Sequence, residues 1–248
     1  MGEDRSITKW FGDNLAELLS GKIEEVTQSF DREGYIRAVR EQCPGLGYSG
    51  RIALHAKELK NALPADYSEA LEILLSILGE ENPGETGMFS EYYWIMPVGK
   101  FIETYGLEHF EESMRAIEEV TKRNTGEYAI RPFLRKYPLE TIRVMRGWAL
   151  SDNFHLRRLA AEGIRPKLPW ATRLETFIDE PEPVFGILAL LMEEGVRFVQ
   201  KSVANNIADY LKVNPSAARA FIDRYRESGD PNTRWILKYA IRKSDMAI

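Results

Sequence analysis

Three stretches in the second half of the chain decide the fold: "HLRRLAAEG" (155–163), "FVQKSVANN" (198–206) and "WILKYAIRK" (235–243). When they are aligned, Arg158, Lys201 and Lys238 share one column, at intervals of 43 and 37 residues. This spacing is typical of stacked helix pairs in which the second helix of each pair opens with a basic residue. The alternative is chance similarity among amphipathic helices. We expect the second helices to stack and to present one cation per layer.

Apolar residues recur at helical spacing along nearly the whole chain. In "YSEALEILLSILGE" (67–80) a single stripe of alanine and leucine ends near Gly79. The stretches 139–153 and 184–196 have the pattern of first helices of two repeat units, and no run alternates as a strand does. The sequence therefore predicts an all-α fold, a right-handed α-α superhelix of HEAT-like repeats with a concave basic face.

The organisation along the chain is predicted to be continuous. We expect one helical domain over 1–248, with an N-terminal helical region at 1–84 and recognisable repeats at 85–248. The Gly- and Pro-containing segment 79–94 is the best candidate for a loop between them.

Composition narrows the class of protein. The hydrophobic fraction of 44% is ordinary for a globular chain. We recognise neither a signal peptide nor an apolar run long enough to span a membrane. The single cysteine, Cys43, has no partner for an internal disulfide, which fits a reducing cytoplasm. We expect a cytoplasmic protein.

The net charge of −5 conceals an asymmetry between the two halves. Residues 1–120 carry 11 Lys and Arg against 23 Asp and Glu, whereas residues 121–248 carry 22 against 15. A basic second half favours a polyanionic partner, and nucleic acid is the commonest one. The alternative is that these charges are solvated helix faces that point in all directions.

Several kinds of catalytic site are missing from the sequence. It contains no Gly-rich phosphate loop, no Gly-x-Ser-x-Gly elbow and no His/Cys pattern at metal spacing. The three histidines, His55, His109 and His155, lie far apart in the sequence. We therefore expect no metal and no cofactor, and any catalysis must come from carboxylates, aromatic rings and electrostatics.

The stretch "WALSDNFHLRRLAAEGIRPKLPWA" (148–171) resembles a motif of the AlkC branch of the bacterial HEAT-like DNA alkylation repair glycosylases. Two further stretches, "GEYAIRPFL" (126–134) and "FVQKSVANNIADYLKVNP" (198–215), are similar to other motifs of that family. The resemblance covers roughly residues 85–243. Gly126, Gln200 and Ala208 depart from the family pattern, and Gln200 replaces a usual arginine.

The resemblance implies excision of cationic N3-methylated bases, chiefly 3-methyladenine and possibly 3-methylcytosine, without a deep base-flipping pocket. The partner it implies is double-stranded alkylated DNA, with no obligate protein partner and a monomer as the default. A base methylated at N3 is already positively charged, so the glycosidic bond is weakened without a general acid. Negative charge near the sugar then stabilises its oxocarbenium-like state.

Two carboxylates are candidates for this role. Glu127, in the matching "GEYAIRPF" motif, is the first choice, and Glu91 is the second, with Trp94 as an aromatic contact for the lesion. Glu127 could instead form a structural ion pair with Arg131 at i+4, and Trp94 could be core packing. Trp148 is expected to be buried.

The resemblance and the basic second half also predict a set of DNA contacts. The candidate DNA-binding residues are Arg131, His155, Arg157, Arg158, Arg165, Lys167, Lys201, Asn205 and Lys238. Asn153 is the expected N-cap of the helix that carries Arg157 and Arg158. Arg165 could instead pair with Glu162 at i+3, His155 could fix the loop, and Asn205 and Asn206 could cap the inter-repeat loop.

Two other functional classes compete with the glycosylase. A non-catalytic HEAT-like module for DNA or protein would keep the scaffold and lose the chemistry, as the altered Gly126 and Gln200 suggest. A protein-interaction solenoid would have no nucleic-acid partner at all. Base release and salt-dependent binding to duplex DNA distinguish the three.

Overall fold

The computed structural model describes residues 7–87 and 89–245, and these residues form helices joined by turns and loops. The expectation about a signal peptide falls partly on residues 1–6, which lie outside the described residues. The α-helices are α1 (Asp13–Glu24), α2 (Arg32–Gln42), α3 (Tyr48–Ala62), α4 (Tyr67–Ser76), α5 (Phe89–Tyr92), α6 (Met96–Tyr105), α7 (Phe110–Thr121), α8 (Arg131–Lys136), α9 (Pro138–Ala149), α10 (Phe154–Glu162), α11 (Glu182–Leu190), α12 (Arg197–Val213), α13 (Pro215–Asp223) and α14 (Pro231–Ile241). Short 3-10 helices span Ile7–Phe11 and Tyr93–Ile95. The all-α prediction is confirmed.

Local sequence signals set many helix boundaries. The side chain of Asn153 accepts a hydrogen bond from the backbone N–H of His155 at 2.9 Å, which confirms it as the N-cap of α10. Asp and Asn side chains cap four other helices in the same way, at Asp31, Asp66, Asn214 and Asp230. The stripe of α4 is buried at Ala70, Leu71 and Leu74, and the chain turns at Gly79 with φ of 72°.

The chain divides into two compact units. The first contains 7–82 and 89–124, and the second contains 83–87 and 125–245, so the division falls near residue 124. The single-domain organisation with a change of region at residue 84 stays a prediction. Within the expected loop at 79–94, helical structure begins at Phe89 and places Glu91 on α5 and Trp94 on a 3-10 turn; Met88 lies outside the described residues.

The second unit has the predicted repeat arrangement. Helix α10 packs on α12, and α12 packs on α14, so the three aligned stretches lie on successive neighbouring helices. Helices α9 and α11 act as first helices, and α9 contacts both α10 and α11. HEAT-like helical repeats are therefore confirmed, and Trp148 is buried as expected. The right-handed superhelix and its concave basic face stay predictions.

The first unit is a helical cluster with its own core. Helix α3 packs on α2 and α6, while α7 packs on α4 and α6. Fully buried large side chains include Phe11, Tyr35 and Phe101. None of the described helices is both long and apolar enough to cross a membrane.

Candidate nucleic-acid interface

Glu127 lies in the turn that leads into α8, and its side chain is almost completely buried. The hydroxyl of Thr125 donates to Glu127 Oε2 at 2.9 Å, and the backbone N–H of Glu127 donates back to Thr125 Oγ1 at 3.3 Å. Arg158 Nη1 forms an ion pair with the same Oε2. Within the described part of the chain, Oε1 makes no hydrogen bond, so one oxygen of this fixed carboxylate is not engaged.

Arg158 is held on several sides in addition to its ion pair with Glu127. Its Nη1 donates to Thr125 Oγ1 at 3.0 Å, and its guanidinium carbon lies 5.2 Å from the centre of the Phe198 ring. Glu162 Oε1 lies 3.8 Å from Arg158 Nη2. Arg158 is therefore half-buried and anchored to a carboxylate, although it shares a sequence column with two exposed lysines.

Arg165 forms the centre of a buried three-residue ion cluster. Its Nη1 donates to Glu162 Oε1 at 2.6 Å and its Nε to Asp209 Oδ2 at 2.9 Å. Burial disfavours the charged guanidinium, but the two carboxylates outweigh this and raise the pKa of Arg165. Burial also raises the pKa of Asp209, against the opposing effect of Arg165. Arg165 thus forms the ion pair with Glu162 at i+3 that was the structural alternative to a DNA contact.

Arg131 is buried beneath the proline-bounded turn that follows α10. Its Nη1 donates to the carbonyls of Gly163 at 3.1 Å and Arg165 at 2.9 Å, and its Nη2 donates to that of Thr172 at 2.7 Å. Burial lowers the pKa of Arg131 to about 10, with a further contribution from Arg135 and Arg165. The ion-pair partner of Glu127 is thus Arg158 and not Arg131, which braces the turn.

Arg157 and His155 also make internal contacts. Arg157 Nε donates to Glu194 Oε2 at 2.6 Å, and Nη1 donates to the carbonyls of Ser151 and Asp152, both at 2.9 Å. His155 is only 1% exposed, and its ring packs against Phe154 and Phe198. DNA contacts by Arg131, His155, Arg157 and Arg165 stay predictions, and the contacts found for these side chains are with the protein.

The remaining predicted DNA contacts lie at the surface of the second unit. Lys167, Lys201 and Lys238 are exposed, and half-buried Asn205 accepts a hydrogen bond from Arg242 Nη2 at 3.3 Å. Asn206 is fully buried and donates to the carbonyl of Ala161 at 2.7 Å, which supports the structural alternative for that residue.

Glu91 and Trp94 belong to the first unit. Glu91 is exposed on α5, whereas Trp94 is only 8% exposed. Lys22 Nζ lies 4.4 Å above the Trp94 ring, so a cation already occupies one face of this indole. Catalytic or lesion-binding roles for these two residues stay predictions.

A comparison with protein families identifies the group to which this sequence belongs. The model of the family described as "DNA alkylation repair enzyme" matches residues 22–244. The chain belongs to this family. An uncharacterised protein of Bacillus subtilis, YhaZ, is 36% identical over 230 residues, which are 91% of this chain and 62% of YhaZ.

A solved structure of a family member extends the comparison to three dimensions. The Pseudomonas fluorescens alkylpurine DNA glycosylase AlkC, bound to DNA that contains an abasic-site analogue, superposes with a TM-score of 0.85 and 30% identity. The match covers 96% of this chain and 64% of that AlkC chain. The chain therefore spans somewhat less than two thirds of the length of both relatives, and the resemblance to the AlkC branch is confirmed.

Two features of the second unit could not be expected from the sequence motifs alone. Thr125, whose hydroxyl contacts both Glu127 and Arg158, lies just before the matching motif and gave no signal of its own. A stack of Arg197, Trp235, Tyr239 and Arg242 was also missed. The i, i+4 and i+7 spacing of Trp235, Tyr239 and Arg242 on one helix could have indicated it. Among the described residues no cluster of three or more His, Cys, Asp or Glu could hold a metal ion.

Proposed function

We propose that this protein is a DNA glycosylase that removes cationic N3-methylated bases, 3-methyladenine and possibly 3-methylcytosine, from double-stranded alkylated DNA. The observation that carries the proposal is the superposition on AlkC, which is an alkylpurine DNA glycosylase bound to DNA with an abasic-site analogue. Family membership over residues 22–244 supports the same conclusion. We further propose that the enzyme acts as a monomer in the bacterial cytoplasm, at the nucleoid, without a deep base-flipping pocket.

The proposed chemistry relies on a positioned negative charge. A methylated cationic base departs as a neutral molecule, while the deoxyribose becomes oxocarbenium-like and gains positive charge. A carboxylate near the sugar stabilises that charge most effectively when its orientation is fixed before the reaction. Glu127 fits this requirement because Thr125 and Arg158 both hold its Oε2. We assign Glu127 as the first candidate and exposed Glu91 as the second.

Base release from methylated duplex DNA, followed by chromatography, tests the function. Wild-type protein should release 3-methyladenine, and Glu127→Gln should lower the single-turnover rate by at least about 100-fold, the scale found for other positioned electrostatic groups. Binding to a duplex with an abasic-site analogue should change little, because glutamine keeps the shape of the side chain. Loss of binding with an unaltered single-turnover rate would contradict the catalytic assignment.

Glu58→Gln provides a matched control. Glu58 is another nearly buried glutamate with a cationic partner, since Lys57 Nζ lies 2.9 Å from its Oε1. Its pKa is lowered: burial acts to raise it, but Lys57, Asn61 and Gln42 together outweigh that effect. The variant should lose some stability and keep the wild-type rate of base release. If both variants lost a comparable part of the rate, the loss in Glu127→Gln would come from reduced stability and not from a catalytic role of Glu127.

One observation favours a second candidate, a non-catalytic DNA-binding module. The ion pair with Arg158 partly neutralises Glu127, which weakens the field that this carboxylate exerts on a nearby sugar. Such a module would bind duplex DNA with strong salt dependence and release no base. The chromatographic assay distinguishes it directly from the glycosylase.

A further inference from the structure

A cavity of about 290 Å³ lies in the second unit, beside α12 and the C-terminal end of α14. Its lining includes the charged or amide side chains of Arg165, Asn205, Asp209, Lys212, Arg242 and Lys243. Four of these six residues are cationic and only one is an acid. This surplus of positive charge identifies the cavity as a site for an anion.

Arg165 forms a fixed, buried part of the cavity wall. Its side chain is nine-tenths buried, and the carboxylates of Asp209 and Glu162 hold Nε and Nη1. Its Nη2 has no hydrogen-bond partner among the residues that the structure describes. A guanidinium that is held on two nitrogens keeps its third in a fixed orientation, so the two N–H donors of Nη2 are left for a ligand.

The rim of the cavity supplies exposed cations, of which Lys212 also attracts Asp209. Lys212, Arg242 and Lys243 are exposed, and none of them forms an ion pair with a described carboxylate. Asp209 opposes an incoming anion, but Arg165 pairs with it at 2.9 Å. The net field at the opening is therefore positive.

Arg242 is held in place by a stack of aromatic rings. Its guanidinium carbon lies 3.6 Å from the centre of the Tyr239 ring, which stacks on Trp235 at 4.8 Å and 19°. Arg197 covers the Trp235 ring at 3.7 Å. Cation–π contact leaves the N–H edges of a guanidinium available, but Arg242 Nη1 donates to the carbonyl of Tyr239 and Nη2 donates to Asn205 Oδ1 at 3.3 Å. The Nε–H and the second hydrogen of each terminal nitrogen are left for a ligand.

We propose that this cavity binds a backbone phosphate of duplex DNA through Lys212, Arg242, Lys243 and the free edge of Arg165. Asn205 accepts a hydrogen bond from Arg242 and serves as a positioning residue, as do Tyr239 and Trp235. The contact carries no sequence information, because phosphates position a protein on DNA and do not specify bases. The proposal rests on the proposed function for its choice of DNA as the ligand.

Binding of undamaged duplex over a series of salt concentrations tests the contact. The double variant Lys212→Gln/Lys243→Gln should weaken binding several-fold at low salt. It should also reduce the slope of log K against log salt by about one unit, because each phosphate neutralised contributes about 0.9. Both lysines are exposed, so the thermal unfolding of the variant should match that of the wild type.

Arg219→Gln/Arg224→Gln is the matched control. Both arginines are exposed in the same unit, at α13 and directly after it, and neither lines the cavity. The control removes the same number of charges and should leave affinity and slope close to wild-type values. Equal effects of the two double variants would overturn the cavity proposal and assign the salt dependence to charge in general.

Tyr239 offers a second, independent test of the arrangement. Tyr239→Phe keeps the ring beneath Arg242 and should bind DNA as the wild type does, whereas Tyr239→Leu removes the ring face and should weaken binding several-fold. Rescue by phenylalanine separates positioning through the ring from a role of the hydroxyl. Equal binding by both Tyr239 variants would overturn the positioning role.

The failure of this proposal is distinguishable from that of the proposed function. Base release at saturating protein does not depend on the salt slope, so normal release together with an unchanged slope refutes the cavity alone. A reduced slope without base release from any methylated duplex supports the cavity and refutes the glycosylase. If inorganic phosphate at constant ionic strength stabilises the wild type and not the variant, while their duplex affinities agree, the ligand is free phosphate and the DNA contact is refuted.

Discussion

His55 in the first unit is a fully buried histidine whose protonation is linked to folding. Tyr35 Oη lies 2.7 Å from its Nδ1. Burial lowers the pKa of His55 from 6.5 to about 4, a shift that Arg51 assists and the carbonyls of Phe11 and Gly12 oppose. The folded ring therefore stays neutral at pH values where the unfolded ring is charged.

This depressed pKa predicts a loss of stability in acid. As the pH falls below 6.5 the unfolded chain binds a proton at His55 and the folded chain does not, so the free energy of unfolding decreases until about pH 4. The loss attributable to this residue is at most about 3 kcal/mol, and it is absent above pH 7. Urea unfolding from pH 7 to pH 4 of wild type and His55→Phe measures it. Parallel stability profiles for the two proteins would show that His55 does not contribute.

Residue-level pairings were the part of the candidate site that the sequence predicted least well. The i+3 pair of Glu162 and Arg165 is a local contact at the end of α10 and could be anticipated from the short separation in sequence. The partner of Glu127 could not, because Arg158 lies on α10, 31 positions away from the turn that holds Glu127, and only the packing of repeats brings them together. Spacing rules predict neighbours within a helix and contain no information about neighbours across a repeat.

Helix ends in this protein are set by close contacts as well as by caps, and Gly106 shows how. A Cβ at Gly106 would lie 2.3 Å from Ser113 Oγ and 2.5 Å from Tyr67 Oη, at the point where α6 ends against α7 and α4. Ser113 Oγ donates to the Gly106 carbonyl at 2.9 Å and lies 2.8 Å from Tyr67 Oη. Three helices thus meet through one buried hydrogen-bond network.

Substitution of Gly106 should therefore separate these helices. Gly106→Ala should cost roughly 1–3 kcal/mol, since the methyl group must displace the buried hydroxyls of Ser113 and Tyr67. Gly147→Ala is the control, because no atom lies within 4 Å of a Cβ built there inside α9. It should stabilise the protein by up to about 1 kcal/mol through helix propensity. Urea denaturation of both variants gives the comparison, and a neutral Gly106→Ala would contradict the packing described.

The helices themselves were largely predictable, because periodicity and capping are local properties. The stretch at 67–80 forms α4 and its turn, and Asn153 caps α10. The short helix at Phe89–Tyr92 was not predicted, since a helix of one turn has too few residues to show a period. The three cations of the aligned column lie on successive helices, as expected. Arg158 is half-buried, however, whereas Lys201 and Lys238 are exposed, so residues in the same column have different environments.

At the scale of the whole molecule, charge distribution matters more than net charge. The chain carries a net −5, yet the second half has 22 basic residues against 15 acidic ones. Several of those cations, including Arg131 and Arg165, are consumed by internal contacts, which a count from sequence does not reveal. The proposed binding to a polyanion would therefore depend on the exposed cations, Lys201, Lys238 and the rim of the cavity among them.

If the proposed function is right, the protein should select damaged bases by their charge on duplex DNA. The candidate carboxylate Glu127 is ion-paired with Arg158, so under the proposed function its role is to supply negative charge to the sugar and not a proton to the leaving base. A cationic base such as 3-methyladenine needs no such proton, whereas a neutral lesion such as hypoxanthine does. General acid catalysis contributes about 100-fold or more to rates, and a neutral lesion does not gain this contribution when the site supplies no proton.

Single-turnover release of hypoxanthine should therefore be at least about 100-fold slower than release of 3-methyladenine from the same duplex sequence. Comparable rates for the two bases would require a proton donor at the site and would refute electrostatic stabilisation as the sole source of catalysis.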